Sequence, residues 1–172
     1  TQEILLEHTG QGYATDTIPC VLKEGDVWKM WYVSCVGWIH ADLPKYNIKY
    51  AESEDGIHWD QGGQVCIDFK SEDETALARP CVLRENGIYR MWYSYKTEET
   101  TYRMGYAESE DGLTWERMDD QVGIDVSESG WDSEMIEYPF VVNHGGRKYM
   151  VYNGNGYGAN GIGLAVMDEE CG

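Results

Sequence analysis

A block of sequence occurs three times along this chain, and this repeat constrains the fold more than any other feature. Each copy is anchored by a proline followed by apolar residues, and Pro19, Pro80 and Pro139 stand 61 and 59 residues apart. The first two copies also share a Ser-Glu-Asp-Gly turn, at 53–56 and 109–112, whereas the third copy is degraded. Repeats of this length indicate that one supersecondary unit was copied and stacked.

Each copy predicts four short β-strands, because aromatic and β-branched runs alternate with Gly-containing turns of the kind that close hairpins. The first copy predicts strands near 20–22, 27–33, 46–52 and 64–69, the second near 88–95, 103–108 and 121–126, and the third near 148–152 and 161–166. The sequence therefore predicts an all-β fold, a β-propeller of three four-stranded antiparallel blades. We expect one domain over 1–172, with blades at about 14–69, 75–126 and 134–168.

The two ends of the chain do not match in the repeat. The third copy stops after its third strand, and the missing outer strand has a counterpart at the amino terminus, in residues 2–8. Ile4 lies 15 residues before Pro19, as Ile124 lies 15 residues before Pro139. We therefore expect 2–8 to act as a closing strand that pairs with the segment around Leu164.

Three blades are too few for a ring, because propellers have about four to eight. An open array would leave unpaired edges exposed, which favours aggregation. Two solutions are possible. Two chains form a six-bladed homodimer that exchanges the outer strand, or the chain is a fragment of a longer propeller. The first is the prediction we adopt.

The composition limits which binding partners and which cellular compartment are expected. Asp and Glu outnumber Lys and Arg by 31 to 13, and the resulting net charge of −18 disfavours binding to nucleic acid or to anionic membranes. The cysteines are odd in number and form no CxxC pair, and Cys20 and Cys81 occupy the same repeat position. This pattern indicates small buried side chains in a reducing compartment, and we expect a cytoplasmic protein. The histidines show no metal-binding spacing, so we expect no metal and no cofactor.

The repeated motifs also carry a family resemblance. The stretches that carry it are 19–24 with 28–34, 78–82, 130–139 and 152–158. They resemble the five-bladed propeller superfamily of arabinanases, levansucrases and invertases, and are most similar to an uncharacterised bacterial branch of glycosidase-like proteins. The resemblance covers nearly the whole chain, which corresponds to the carboxy-terminal three blades of those longer proteins.

This resemblance implies a carbohydrate-active protein that acts on glycosidic bonds. Such enzymes need two carboxyl groups flanking the bond, one protonated and one ionised. Invertase-like enzymes carry their general acid in a Glu-x-Pro motif, which Glu137 matches, so Glu137 is the candidate acid. Asp16 is the candidate second carboxylate, although the nucleophile of those enzymes directly precedes its proline and Ile18 holds that place here. Asp132 and Glu134 are the alternatives.

Other candidate residues complete the predicted site. Arg79 precedes Pro80 where the related enzymes carry Arg-Asp-Pro, so the Asp of that motif is missing and Arg79 is predicted to clamp substrate or tune a pKa. Aromatic rings suit the apolar faces of sugars. The predicted substrate-binding residues are Trp131, Tyr138, Glu134, Asp132 and Tyr13.

Two alternatives stay open at this stage. In the first alternative, the aromatic residues pack between blades instead of binding sugar. In the second, Glu137 and Arg79 form a structural ion pair. The missing Asp before Pro80 favours a non-catalytic propeller that binds glycan or acts as a scaffold. The retained Glu-x-Pro motif favours a glycoside hydrolase.

Overall fold

The computed structural model describes residues 16–41, 43–60 and 62–168, and these residues form an almost entirely β structure. The strands are β1 (Asp16–Glu24), β2 (Val27–His40), β3 (Leu43–Ser53), β4 (Gln64–Ile67), β5 (Glu74–Glu85), β6 (Ile88–Thr97), β7 (Arg103–Ser109), β8 (Glu116–Arg117), β9 (Glu137–His144), β10 (Arg147–Asn153) and β11 (Ile162–Asp168). A 3₁₀ turn, η1 (Asp119–Gln121), and a four-residue turn, α1 (Asn155–Gly158), complete the described structure. Within these residues, no helix has the length and apolarity needed to cross a bilayer.

Each sequence repeat folds as a run of neighbouring antiparallel strands. Unit 1 contains β1–β4, unit 2 contains β5–β8 and unit 3 contains β9–β11, with each strand paired to the next along the chain. One parallel bridge, between Tyr46 and Ala76, joins unit 1 to unit 2. The hydrophobic core lies between the units, where Trp31 and Leu77 are fully buried. The strands expected near 27–33, 46–52, 88–95 and 103–108 are confirmed.

The residue before each repeat proline adopts a left-handed conformation. Ile18, Arg79 and Tyr138 have φ angles of 51°, 51° and 58°. The strand register shifts at the same place in β1, β5 and β9, which defines a β-bulge in the first strand of every unit. Residues before proline normally prefer extended backbone, and non-glycine residues rarely adopt positive φ. No sequence pattern predicted this bulge, yet all three units contain it.

The repeated Ser-Glu-Asp-Gly turns are built as the sequence predicted. In the second turn, Ser109 Oγ accepts the N–H of Gly112 at 2.8 Å. The Asp111 carboxylate accepts the N–H groups of Leu113 and Thr114 at 2.7 and 2.8 Å. Trp115 Nε1 then donates to the Gly112 carbonyl at 2.9 Å. The turn at 53–59 makes the same set of bonds. These side chains therefore satisfy turn amides and serve the fold.

The repeated cysteines join consecutive units. Cys20 Sγ accepts the backbone N–H of Val82 at 3.2 Å, and Cys81 Sγ accepts that of Val141, also at 3.2 Å. Burial raises the pKa of the Cys20 thiol to about 11, so this thiol is protonated and unreactive at neutral pH. The structural role expected for the cysteine pair is confirmed.

The last strand of unit 2 differs from the prediction. A strand was expected near 121–126, but β8 is only two residues long, Glu116–Arg117, and η1 follows it. The reason is a buried charge cluster that the sequence pattern does not reveal. Asp119 accepts hydrogen bonds from Arg117 at 2.9 Å and from the Tyr106 backbone N–H at 3.2 Å, which turns the chain out of the strand direction.

The buried charge cluster centres on Arg117. Its guanidinium forms a bidentate pair with Glu74, both bonds at 2.8 Å, and the two side chains are only 7% and 5% exposed. Glu74 also accepts the Lys70 backbone N–H at 2.7 Å, and Tyr93 donates to Asp119. These bonds connect the segment between β4 and β5, which joins units 1 and 2, to β8 at the end of unit 2.

The outer face of unit 3 is apolar and exposed. Val151 faces Phe140 on one side and Leu164 on the other, and the three side chains are 37%, 55% and 61% exposed. Val142 and Val166 extend this row. The predicted closing strand, 2–8, lies outside the described residues, so its pairing with the Leu164 segment stays a prediction.

The buried pair at Arg117 generates a stability prediction. Glu74→Ala leaves the guanidinium buried without its bidentate partner, so we expect the free energy of unfolding to fall by about 3 kcal/mol. Urea denaturation at pH 7 measures this change. Glu72→Ala is the matched control, because Glu72 is an exposed acid of the same loop. Equal stability of the two variants would contradict a structural role for the pair.

Candidate functional site

Glu137 is the most unusual ionisable residue of the described structure. It is the first residue of β9, it lies opposite Asn153 in the register, and its exposure is 0%. Neither carboxyl oxygen accepts or donates a hydrogen bond within the described residues. A buried polar group normally has a partner, because leaving it unpaired costs about 1–3 kcal/mol. An unpaired carboxyl group at this position therefore points to a functional role.

The electrostatic environment raises the pKa of Glu137. Burial raises the pKa of Glu137 to about 7, while the Asn153 side chain and the positive charge of Lys96 act in the opposite direction. Asn153 is near enough to favour the charged form, although it makes no hydrogen bond of normal geometry with either oxygen. A carboxyl group that is half-protonated near neutral pH is suited to general-acid chemistry.

The bulge fixes the residue that follows Glu137. The Tyr138 N–H donates to Ser94 Oγ at 2.7 Å, a bond between units 3 and 2 that holds the left-handed backbone in place. The Tyr138 ring packs against Tyr102 with centroids 5.8 Å apart. Burial raises the pKa of Tyr138 to about 12, so its phenol is a neutral hydrogen-bond donor.

Arg79 is exposed and does not pair with Glu137. Its guanidinium lies over the Tyr138 ring, 5.9 Å from the centroid. The alternative in which Glu137 and Arg79 form a structural ion pair is therefore wrong, because the unpaired carboxyl oxygens exclude it. Arg79 nevertheless contacts the residue that directly follows the candidate acid, because its guanidinium lies over the ring of Tyr138.

The predicted segment at 131–134 packs largely against its own unit. The Trp131 ring stacks on Tyr152, 5.5 Å between centroids and 28° between planes, and remains 36% exposed. A Cβ atom on Gly154 or Gly163 would lie 2.4 or 2.3 Å from this ring, so the two glycines form the slot that holds it. Packing within unit 3 therefore explains why most of the Trp131 side chain is buried.

The two alternative carboxylates have different environments. Asp132 is buried and accepts a hydrogen bond from the Tyr152 hydroxyl at 3.1 Å. The Glu134 side chain is exposed. The structure places both residues in the loop before β9 and leaves neither in a hydrogen bond with Glu137.

Asn155 positions this loop, and sequence reasoning missed it. Its Oδ1 accepts the N–H groups of Glu134 and Met135 at 2.8 and 3.1 Å, and its Nδ2 donates to the Gly130 carbonyl at 3.1 Å. Its own N–H donates to the Trp131 carbonyl at 2.8 Å. The only sequence signal was the glycine-rich stretch around it, which reveals a turn but not what the turn binds.

The same turn presents an aromatic ring beside the site. Tyr157 has a left-handed backbone, φ 61°, and is 60% exposed. Its ring meets Tyr102 edge-on at 6.3 Å. Tyr157, Tyr102, Lys96 and Met135 line one side of an open groove of about 280 Å³. The lining of this groove reaches Met135, two residues before Glu137, and the positive charge of Lys96 acts on the Glu137 carboxyl group.

Two predicted site residues are outside what the structure describes. Tyr13 lies outside the described residues, and for Asp16 only the backbone, opposite Ser34, is described. Their assignment to the site stays a prediction. Among the described residues, no cluster of His, Cys, Asp and Glu has an arrangement that would hold a metal ion.

Sequence comparison finds relatives without an assigned activity. No family model matches the chain. The "uncharacterized protein MT1551" of Mycobacterium tuberculosis strain CDC 1551 / Oshkosh and the "uncharacterized protein Rv1502" of strain ATCC 25618 / H37Rv are each 46% identical over 152 residues, which is 88% of this chain. The match is 50% of each relative, so the chain spans about half the length of the curated relatives it matches.

Structure comparison identifies the fold class. Zg3597, a family 117 glycoside hydrolase of Zobellia galactanivorans, matches with a TM-score of 0.74 at 18% identity, over 98% of this chain and 57% of that chain. The GH32 β-fructofuranosidase BmSUC1 of Bombyx mori matches with a TM-score of 0.68 at 15% identity, over 87% of this chain and 33% of that chain. An N-acetylgalactosamine deacetylase of F. plautii, in complex with blood group B trisaccharide, matches with a TM-score of 0.59 at 17% identity, over 79% and 40%. The chain therefore has the fold of propeller-type glycoside hydrolases.

Proposed function

We propose that this chain is a glycoside hydrolase-like, carbohydrate-active protein in which Glu137 is the general acid. The observation that carries the proposal is the state of that carboxyl group. It is fully buried, both oxygens are unpaired, and its pKa is raised to about 7. Protonating the leaving oxygen of a glycosidic bond requires a carboxyl group that is still neutral near the working pH. The shared fold with glycoside hydrolases is an independent support.

Asp16 is our candidate for the second carboxylate. It lies in β1, the first strand of unit 1, as Glu137 lies in β9, the first strand of unit 3. Thr17 and Glu137 both directly precede the left-handed residue of their unit, so Asp16 lies one residue from the position equivalent to Glu137. First strands of different units face a common axis in propellers, which supports placing the two residues across one channel. Asp132 and Glu134 remain the alternatives for this role.

Roles are also proposed for the other predicted site residues. Arg79 is proposed to clamp the substrate, because it is exposed and lies over Tyr138. The proposed sugar-contacting residues are Trp131, Tyr138, Glu134, Asp132 and Tyr13. Trp131 contributes the 36% of its surface that Tyr152 and the glycine slot leave open.

The competing proposal is a glycan-binding propeller without hydrolytic activity. One observation favours it: the buried Asp132, an alternative for the second carboxylate, already accepts a hydrogen bond from the Tyr152 hydroxyl. The structural match to a deacetylase that binds a blood group trisaccharide supports glycan recognition by this fold in a protein of another activity.

Glu137→Gln separates the two proposals. A general acid matters most when the leaving group is a poor one, so the variant should lose about 100-fold or more on alkyl or sugar leaving groups and far less on dinitrophenyl glycosides. With wild-type protein, kcat/KM should fall as the pH rises through about 7, because Glu137 then loses its proton. Both are measured on a panel of glycosides that differ in sugar and in leaving group.

Glu128→Gln is the control for that panel, because Glu128 is an exposed acid in the loop that precedes the site. If wild-type protein hydrolyses no member of the panel but binds one, the glycan-binding proposal stands instead. A loss of activity that is independent of the leaving group would remove Glu137 from the acid role.

We also propose that two chains associate as a homodimer by exchanging the 2–8 strand. The exposed row of Phe140, Val151 and Leu164 supports the proposal, since a free apolar sheet face of this kind normally has a partner. The partner in this arrangement is unit 1 of the second chain, which would close a ring of six units and bury about 2,000 Å² or more. Further units of a longer chain are the alternative occupant.

The mass in dilute solution tests this association. Multi-angle light scattering at micromolar concentration should give twice the chain mass of 19.6 kDa. Leu164→Glu, which puts a charge at the centre of the apolar row, should shift the protein to the monomer. A folded wild-type monomer would refute the dimer.

A further inference from the structure

Several basic residues of this acidic chain lie over aromatic rings without forming an ion pair within the described residues, namely Lys23, Lys45, Arg79 and Lys96. Elsewhere in the described residues, the basic side chains that form ion pairs are Lys29, Lys70, Arg84, Arg90, Arg103, Arg117 and Lys148. Within the same residues Arg79 and Lys96 form no ion pair, and each lies over a tyrosine ring instead, 5.9 Å from Tyr138 and 5.2 Å from Tyr102. Acids outnumber bases by 31 to 13, so unpaired cations beside one site are not explained by a shortage of carboxylates.

These two cations are parts of one continuous surface. The Tyr138 and Tyr102 rings contact each other, with centroids 5.8 Å apart, and carry Arg79 and Lys96 on them. Lys96 also lines the groove of about 280 Å³, together with Tyr102 and Tyr157. A cation over an aromatic face keeps its hydrogen-bond donors free, because the ring supplies no acceptor oxygen. Both cations can therefore still bind an anion.

Glu137 adds an independent observation at the same surface. Its carboxyl oxygens are fully buried and unpaired, and Lys96 is the charged group that acts on it. In its protonated form this carboxyl group is a neutral donor, so it does not repel an anionic ligand. The phenols of Tyr138 and Tyr102 are also protonated, since burial raises the pKa of each. The surface thus combines two cations with two neutral phenols, and the buried Glu137 adds no negative charge beside them while it is protonated.

Acidic residues limit what can bind. Glu98 and Glu99 also line the groove and are exposed. Together with the net charge of −18 they repel a long polyanion. A ligand with a single negative charge is repelled less, because the repulsion grows with the number of charges that the ligand carries.

We propose that the site takes a short glycan with one negatively charged group, held between Arg79 and Lys96 beside Glu137. The charged group is a carboxylate, as in a uronic acid, or a sulfate or phosphate ester on a sugar. The inference rests on the proposed function in that it takes a glycan as the ligand, and it adds the charge of that glycan.

Calorimetric titration of matched methyl glycosides tests the charge requirement. Each pair consists of a neutral sugar and its uronic acid, with 6-sulfate and 6-phosphate derivatives of the same sugar as further arms. The titrations use Glu137→Gln, which retains a hydrogen-bond donor and excludes turnover. We expect the charged member of at least one pair to bind about tenfold or more tightly than its neutral counterpart. The arm that binds best identifies the anionic group.

Substitutions of the two cations locate the interaction. In the Glu137→Gln background, Arg79→Gln and Lys96→Gln should each reduce the preference for the charged member about fivefold or more. Lys23→Gln is the matched control, because Lys23 also lies over a ring, Trp28 at 4.9 Å, at the hairpin end of β1. Thermal melting confirms that each variant folds.

The outcomes distinguish this inference from the proposed function. Equal binding of neutral and charged members, a preference that survives in the Arg79→Gln/Lys96→Gln double variant, or no binding in any pair would each overturn it. Because Glu137→Gln performs no acid catalysis, a charge preference can be found even if the wild-type protein hydrolyses nothing. Hydrolysis of neutral glycosides alone would support the proposed function and contradict the inference.

Discussion

The left-handed backbone before each repeat proline determines how the first strands of the three units are shaped. Holding a bulky residue such as Ile18 or Tyr138 at positive φ costs on the order of 1–3 kcal/mol. The cost recurs in every unit, so it belongs to the architecture of the repeat. In unit 3 a bond between units, from the Tyr138 N–H to Ser94 Oγ, holds this conformation. The bulge sets the direction of the residue before it, which is Thr17, Ala78 or Glu137.

The candidate site arises from divergence at that one repeat position. Thr17 and Ala78 are small, and they leave units 1 and 2 without an ionisable group there. Unit 3 places a carboxyl group at the same point, where packing removes it from water. Burial then raises the pKa of Glu137 to about 7. A scaffold position that is chemically inert in two units therefore becomes a potential proton donor in the third.

Sequence reasoning predicted the parts of the fold that depend on local chemistry. The aromatic strands and the Ser-Glu-Asp-Gly turns were predictable, because periodicity and turn residues specify them directly. The end of unit 2 was not, since the contacts of Arg117 and Asp119 with Glu74 and Tyr93 depend on tertiary packing. The bulge was missed because the residue before a proline ordinarily predicts extended backbone.

The sequence indicated which residues belong to the candidate site, but it did not indicate how their side chains contact one another. The Glu-x-Pro motif pointed to Glu137, but no local pattern indicated that both its oxygens would be unpaired. Arg79 was expected to be near it, and the structure places its guanidinium on Tyr138 rather than on the carboxyl group. Asn155 and Lys96 escaped notice because their importance comes from partners distant in sequence.

The acid role of Glu137 requires that this carboxyl group still hold a proton near neutral pH. Infrared difference spectroscopy of wild-type protein against Glu137→Gln follows the protonated carboxyl band of this one residue through a pH titration. We expect a band that disappears with a midpoint at about pH 7. A midpoint near the ordinary value of 4.5 would show that the carboxyl group is ionised at neutral pH, and it would contradict the acid role.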